Sequence, residues 1–117
     1  MIRFVDSFCS ERTQYIGMEY CNGGDLEKYL ENKKRLTEDE ATTFLKQILN
    51  GFRGLHEVNA MHRDFKVANV LLHEGMCKIA DLGFAKQLDK QKKVTGTILG
   101  TSLTMAPELL RDQKYGM

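Results

Sequence analysis

The alternation of hydrophobic and polar positions divides the chain into short strand-like runs and two helix-like segments. Residues 4–8 and 14–20 carry aromatic and β-branched side chains, and a polar, turn-like stretch at 10–13 separates them. Two such runs joined by a short polar connection predict a β-hairpin. The Asn-Gly-Gly-Asp stretch at 22–25 ends the second run, because these residue types favour turns over strands.

Apolar residues then recur at the spacing of a helix. Leu26, Tyr29 and Leu30 predict a short helix that ends near the polar stretch at 31–35. Further along, two short apolar runs at 70–72 and 76–80 flank a His-Glu-Gly turn. After them, the polar positions show no period between residues 86 and 100, so we expect a flexible segment without regular structure there.

A longer helix is predicted over residues 37–58. Thr37 and Glu40 form the pattern of a capping box, in which each side chain satisfies a free backbone amide at the start of the helix. Behind this cap lies one apolar face, made of Ala41, Phe44, Leu45, Ile48, Phe52 and Leu55. Asn59 tolerates the left-handed backbone conformation, so we expect the helix to stop there.

Composition limits the class of protein. The chain has 117 residues, which suits one domain at most, and 42% of them are hydrophobic, which is too many for a disordered tail. The formal net charge of +1 gives no general attraction to nucleic acid. No apolar run approaches the ~18 residues of a membrane span, and the first residues lack the pattern of a signal peptide.

The three cysteines, Cys9, Cys21 and Cys77, are widely spaced and form no Cys-x-x-Cys pair. Free thiols of this kind are typical of a reducing compartment. We therefore expect a cytoplasmic protein, with the nucleus as an alternative location.

Residues 62–69, with the sequence His-Arg-Asp-Phe-Lys-Val-Ala-Asn, concentrate side chains suited to phosphate chemistry. Asp64 could orient a hydroxyl group and accept its proton, Lys66 could neutralise a transferring phosphate, and Asn69 offers an oxygen to a hard cation such as magnesium. Taken singly, each of these residues is better explained by a solvated surface loop, because charged residues are common in loops. The functional interpretation therefore depends on the complete pattern.

The complete pattern resembles the catalytic loop of the protein kinase family, His-Arg-Asp-x-Lys-x-x-Asn. Three further stretches follow the family's order: residues 18–26 resemble the hinge, 81–83 read Asp-Leu-Gly where the family has Asp-Phe-Gly, and 106–108 read Ala-Pro-Glu, the end of the activation segment. Residues 19–26 and 83–85 are also similar to the autophagy-initiating group of kinases. The resemblance implies ATP and Mg²⁺ as cofactors and a protein as the substrate.

Roles at the catalytic centre follow from these positions. Asp64 resembles the catalytic base that accepts the proton of the substrate hydroxyl. Asn69 and Asp81 resemble the two magnesium ligands. Lys66 lies two residues after the base, where the serine/threonine members of the family have lysine.

The resemblance also implies a nucleotide site. Met18 resembles the gatekeeper, the backbone of Glu19 and Cys21 would pair with the edge of adenine, Asp25 would face the ribose, and Leu71 would form the apolar floor. Among regulatory positions, Thr97 resembles the activating phosphorylation site, and its phosphate would pair with Arg63. An upstream activating kinase is the corresponding partner.

The resemblance implies an α+β, protein kinase-like fold that is incomplete. We expect residues 1–20 to form the last strands of the N-lobe sheet, 19–25 the hinge, and 26–117 the first half of the mainly helical C-lobe. The sequence contains neither a glycine-rich phosphate loop nor the Val-Ala-x-Lys strand of the family. We therefore expect a fragment that is inactive alone; the alternative is a truncated, kinase-like protein that binds a partner or competes with an intact kinase.

Overall fold

The computed structural model describes residues 1–88, 94–95, 100–111 and 115–116, and it describes only the backbone of 94–95. Within these residues, the strands form four two-stranded antiparallel sheets, pairing β1 with β2, β3 with β6, β4 with β5, and β7 with β8. The elements in chain order are β1 (Phe4–Ser10), β2 (Thr13–Met18), α1 (Leu26–Lys33), α2 (Glu38–Glu57), β3 (Ala60–Met61), β4 (Val70–His73), β5 (Met76–Ile79), β6 (Lys86–Gln87), β7 (Val94–Thr95), α3 (Pro107–Leu110) and β8 (Tyr115–Gly116). Short 3₁₀ turns lie at Val67–Asn69 and Ser102–Thr104. Small antiparallel sheets together with helices give the predicted α+β, kinase-like class.

The predicted N-terminal hairpin is confirmed. β1 and β2 pair from Ser10 opposite Thr13 to Phe4 opposite Met18, with an irregularity in register near Phe4. Glu11 takes the left-handed conformation (φ 52°) in the connection between the strands. The side chains on both faces of this hairpin are largely exposed, so the hairpin has little core of its own.

The short helix α1 is also confirmed. Its N-cap is Asp25, whose carboxylate accepts a hydrogen bond from the Lys28 amide and thereby satisfies one free donor of the first turn. Lys34, at φ 68°, ends the helix within the predicted polar stretch.

The long helix α2 begins and ends as predicted. Thr37 and Glu40 form the capping box through both of its hydrogen bonds. Lys33 from α1 pairs with the Glu40 carboxylate and, with the Thr37 amide, lowers the pKa of Glu40 to about 2. Asn59 takes φ 51° immediately after the helix, which confirms the left-handed stop.

Helix α2 packs closely against the hairpin of β4 and β5. A Cβ atom at Gly51 would lie 2.7 Å from the Ile79 Cδ1 atom, so the absence of a side chain allows the helix to approach the strand. Gln47 of α2 accepts a hydrogen bond of 2.6 Å from the Cys77 amide. The central core cluster beside this contact consists of Leu26, Val70, Leu72 and Cys77.

The expectation of no regular structure between residues 86 and 100 is wrong in two places. β6 pairs with β3, and β7 pairs with β8. Two-residue strands of this kind are set by a partner that is distant in sequence, so no local period announces them. No described helix combines the length and apolar character that crossing a membrane requires.

Candidate active site

The loop that follows β3 is anchored by the side chain of His62. Its Nε2 atom lies 2.9 Å from the Ala80 carbonyl oxygen, and its Nδ1 atom accepts a hydrogen bond of 3.4 Å from the Asp64 amide. The buried imidazole therefore joins the predicted catalytic loop to the residue that precedes Asp81. The loop that carries Asp64 is thereby held next to the segment that carries Asp81, 17 positions later in the sequence.

The side chain of Asp64 lies at the centre of a dense polar network. It is only 6% exposed, and its Oδ1 atom accepts hydrogen bonds from the Thr101 amide at 2.7 Å and from the Thr101 hydroxyl at 2.6 Å. The Lys66 ammonium lies 3.4 Å from its Oδ2 atom. The Thr101 hydroxyl, together with Lys66, lowers the pKa of Asp64, which keeps the carboxylate ionised near neutral pH.

Thr101 is the site residue that sequence reasoning missed. Its hydroxyl accepts a hydrogen bond of 3.0 Å from Lys66 and donates to Asp64, so it connects the two side chains. Gly100 makes this contact possible, because it takes φ 122° and a Cβ atom there would overlap the Arg63 carbonyl oxygen. The available signal was a Gly-Thr pair shortly before the Ala-Pro-Glu motif.

Asn69 and Asp81 present oxygen atoms of the kind that Mg²⁺ prefers. The Asn69 amide group donates to the Asp64 carbonyl oxygen at 2.8 Å, so its Oδ1 atom is the one that could bind a cation. The Ala80 amide donates to the Asn69 carbonyl oxygen at 2.8 Å, so the backbone just before Asp81 contacts Asn69. Asp81 is exposed, and one of its carboxylate oxygens accepts from the Gly83 amide. This donor set fits a magnesium ion, although no group of three or more His, Cys, Asp or Glu side chains suited to a metal occurs among the described residues.

Arg63 and Asp81, which flank these groups, both have left-handed backbones, with φ 66° and 59°. Such conformations are unfavourable for residues with a side chain, and they concentrate at functional sites. The Arg63 Nε atom donates to the Phe84 carbonyl oxygen at 2.6 Å, whereas its buried Nη1 atom has no partner in the described part of the chain. Thr97, the predicted phosphorylation site, lies outside the described residues.

The end of the predicted hinge pairs with β4, where the Gly23 amide donates to the Leu72 carbonyl oxygen and the Leu72 amide donates to the Gly24 carbonyl oxygen. The Glu19 amide donates to the Arg3 carbonyl oxygen, so its own carbonyl is the group that could face adenine. Cys21 is buried, and Leu71 is half-buried and forms a backbone bridge with Asp25. Asp25 uses its carboxylate to cap α1 and to pair with Lys28, a structural role that the sequence had not indicated.

Met18, the predicted gatekeeper, borders a cavity of about 430 Å³. Asp81 and Leu82 form part of the wall of the same cavity. The structure therefore places the predicted gatekeeper and the predicted magnesium ligand around one space, while Asp64 and Lys66 form the separate polar network with Thr101.

Comparison with known proteins adds independent information. A family model described as "Protein kinase domain" matches residues 1–117. The serine/threonine-protein kinase atg1 of Dictyostelium discoideum is 42% identical over 105 residues, which cover 86% of this chain and 16% of that protein. The serine/threonine-protein kinase hippo of Drosophila melanogaster is 39% identical over 117 residues, covering 98% of the chain and 18% of that protein.

A third relative, the inhibitor of nuclear factor kappa-B kinase subunit beta of Bos taurus, is 46% identical over 107 residues. This match covers 86% of the chain and 14% of that protein. The chain thus spans less than a fifth of the length of each of these three relatives.

Proposed function

This chain belongs to the protein kinase family, and on that premise we propose that the protein carrying it transfers the γ-phosphate of ATP to serine and threonine side chains of protein substrates. The observation that carries the proposal is the network of Asp64, Lys66 and Thr101. It combines an ionised, buried carboxylate with a neighbouring ammonium group, and the Thr101 hydroxyl is hydrogen-bonded to both. Phosphoryl transfer depends on this kind of positioning and charge neutralisation more than on covalent chemistry.

In this proposal each group has one task. Asp64 orients the substrate hydroxyl and accepts its proton while the hydroxyl oxygen forms the new bond to phosphorus and ADP leaves with the electron pair of the broken bond. Lys66 offsets the charge of the phosphoryl group. Asn69 and Asp81 would hold magnesium, which when bound neutralises charge on the phosphates.

The nucleotide would lie against the hinge. The relevant groups are the backbone of Glu19 and Cys21, with Leu71 beneath the ring. The end of the hinge pairs with β4, and β4 pairs with β5, the strand that leads into Asp81. This closeness supports the proposal, because adenine and the metal-bound phosphates belong to one molecule. The Asp25 Oδ1 atom caps α1, and its Oδ2 atom pairs with the Lys28 ammonium. The Oδ2 atom is therefore the one that could face the ribose.

Acceptor specificity is the direct test of this function. In the full-length protein that carries residues 1–117, a degenerate peptide library should be labelled at serine and threonine, because Lys66 lies beside Asp64 at the position where the serine/threonine members of the family have lysine. The measurement is incorporation of labelled phosphate from Mg-ATP, sorted by acceptor residue. The Asp64→Asn variant supplies the background from contaminating kinases, and predominant tyrosine labelling above that background would contradict the proposal.

Regulation by an upstream kinase forms part of the same proposal. Arg63 carries a buried Nη1 atom without a described partner, and a phosphate on Thr97 would supply acceptors for it. A charge-assisted hydrogen bond of this kind contributes about 1.5–3 kcal/mol, enough to shift a segment's equilibrium about tenfold or more.

Thr97→Ala in the full-length protein should therefore lower activity sharply, to a level that treatment of the wild-type protein with phosphatase also reaches. Phosphopeptide mapping and initial rates are the measurements. Thr95→Ala provides a matched control, because it removes a nearby threonine and should leave the rate close to that of the wild-type protein. Unchanged activity of Thr97→Ala, with Thr97 never found phosphorylated, would refute the switch.

A non-catalytic binding or competitor protein is the second candidate function. The observation that favours it is the exposure of large apolar side chains on the β1–β2 hairpin, which would suit contact with a partner. Phosphate transfer that disappears in Asp64→Asn would exclude this candidate.

A further inference from the structure

The carboxylate of Glu19 connects three segments that are far apart in sequence. Its Oε1 atom accepts a hydrogen bond of 2.7 Å from the Arg3 amide, and its Oε2 atom accepts one of 2.6 Å from the Lys78 ammonium. The Glu19 amide in turn donates to the Arg3 carbonyl oxygen at 3.0 Å. Glu19 is therefore fixed by its backbone and by both carboxylate oxygens.

This ion pair is sheltered from solvent. The side chains of Glu19 and Lys78 are only 11% and 19% exposed, whereas those of the Arg53–Glu57 pair on α2 are 65–78% exposed. Exposed pairs contribute little, because water and salt screen them and both side chains lose rotamer freedom. A sheltered pair whose carboxylate also accepts a backbone hydrogen bond has one preferred geometry. The Lys78 ammonium is also the main reason that the pKa of Glu19 is lowered.

Lys78 occupies a particular position in the fold. It lies on β5 directly opposite Leu71 of β4, and it precedes Asp81 by three residues. The next residue along the strand, Ile79, accepts a hydrogen bond of 2.8 Å from the Ile2 amide. The β4–β5 hairpin is thus joined to the first residues of the chain by one backbone bond and to Glu19 by one ion pair.

We propose that Glu19 and Lys78 are positioning residues, whose ion pair sets the hinge backbone at Glu19 relative to the β4–β5 hairpin that carries Leu71 and leads into Asp81. This inference rests on the proposed function for its nucleotide part. The pair holds the adenine-facing backbone and the floor of the site at a fixed separation before the nucleotide binds. Preorganisation of this kind improves affinity because less ordering remains to be done on binding.

Hydrogen exchange in the full-length protein tests the positioning role without any nucleotide. In Lys78→Met, the amides of Ile2 and Glu19 should exchange about tenfold faster, because loss of a charge-assisted hydrogen bond favours local opening by about that factor. The Leu72 amide, which donates to the Gly24 carbonyl oxygen, should keep its wild-type rate and report that the fold persists.

Two further variants separate the ion pair from general damage to the strand. Lys78→Arg keeps the positive charge and should restore slow exchange at Ile2 and Glu19. Glu19→Gln keeps an acceptor for the Arg3 amide but removes the charge, so it should accelerate exchange as Lys78→Met does. Arg53→Met removes an exposed ion pair and serves as the matched control, for which no change is expected. Wild-type exchange at both amides in Lys78→Met and Glu19→Gln would overturn the proposal.

Binding of adenosine and of Mg-ATP tests the consequence for the nucleotide site. Both should bind about tenfold more weakly to Lys78→Met, and by the same factor, because the pair acts on the hinge and not on the phosphates. An unchanged adenosine affinity would overturn the nucleotide part of the inference. Failure of the wild-type protein to bind either ligand would instead overturn the proposed function, while the exchange rates would still decide whether the pair positions the hinge.

Discussion

Replacing Asp64 with asparagine in the full-length protein is expected to lower the turnover of Mg-ATP-dependent phosphorylation by about 10²–10⁴, the usual range for a general acid–base group. Asparagine has nearly the same shape and can still accept the two hydrogen bonds from Thr101. The substitution therefore removes the charge, the basicity and the ion pair with Lys66, while the two hydrogen bonds from Thr101 are retained. The initial rate at saturating Mg-ATP and peptide is the quantity to measure.

The roles of the two aspartates can be distinguished by nucleotide affinity. Asp64→Asn should leave the affinity for Mg-ATP close to that of the wild-type protein, because Asp64 is engaged by Thr101 and Lys66. Asp81→Asn should both weaken the magnesium-dependent binding of ATP and lower the turnover, because it removes a charged ligand. Asp39→Asn, which alters an exposed residue in the first turn of α2, serves as a control for the loss of one negative charge. Wild-type turnover in Asp64→Asn would show that the assignment of the base is wrong.

Local patterns in the sequence were sufficient to predict several elements of the fold. The strands β1 and β2 have a polar connection that defines their pairing, and α2 carries its start signal in Thr37 and Glu40 and its stop signal in Asn59. These signals act over a few residues, because capping and turn formation satisfy backbone groups of immediate neighbours. They therefore remain readable without knowledge of the rest of the structure.

The contacts that give the site its shape could not be predicted in this way. Thr101 reaches Asp64 across 37 positions, and Lys78 reaches Glu19 across 59. Such pairs depend on how the elements pack, and no spacing rule connects two residues so far apart. The motifs identified candidates for the site, and the structure showed that Thr101 joins Asp64 to Lys66 and that Asp25 caps a helix.

Residues 1–117 expressed alone are expected to unfold without a cooperative transition and to transfer no phosphate. The structure leaves large apolar side chains open on the first hairpin and on α2: Phe4, Phe8, Ile16, Leu45 and Leu49 are each 56–60% exposed. Full burial of such a side chain stabilises by about 1.5–3 kcal/mol, so more than half of that value is forfeited at each position, roughly 4–9 kcal/mol in all. Whole domains have a net stability of only about 5–15 kcal/mol. The stabilisation lost through these exposed side chains is therefore comparable to the net stability of a whole domain.

Catalysis by the same polypeptide should fail for a second reason. Asn69 and Asp81 offer oxygens to a metal, but most of the rate of phosphoryl transfer comes from holding the nucleotide in position, and a poorly folded hinge cannot do so. Thermal unfolding followed by near-ultraviolet circular dichroism, and turnover of Mg-ATP, are the two measurements, with the full-length protein as the positive control. A sharp transition together with phosphate transfer that Asp64→Asn abolishes would contradict this prediction. That outcome would mean that a second copy of the chain covers the exposed hairpin and α2, since only added contacts could bury those side chains.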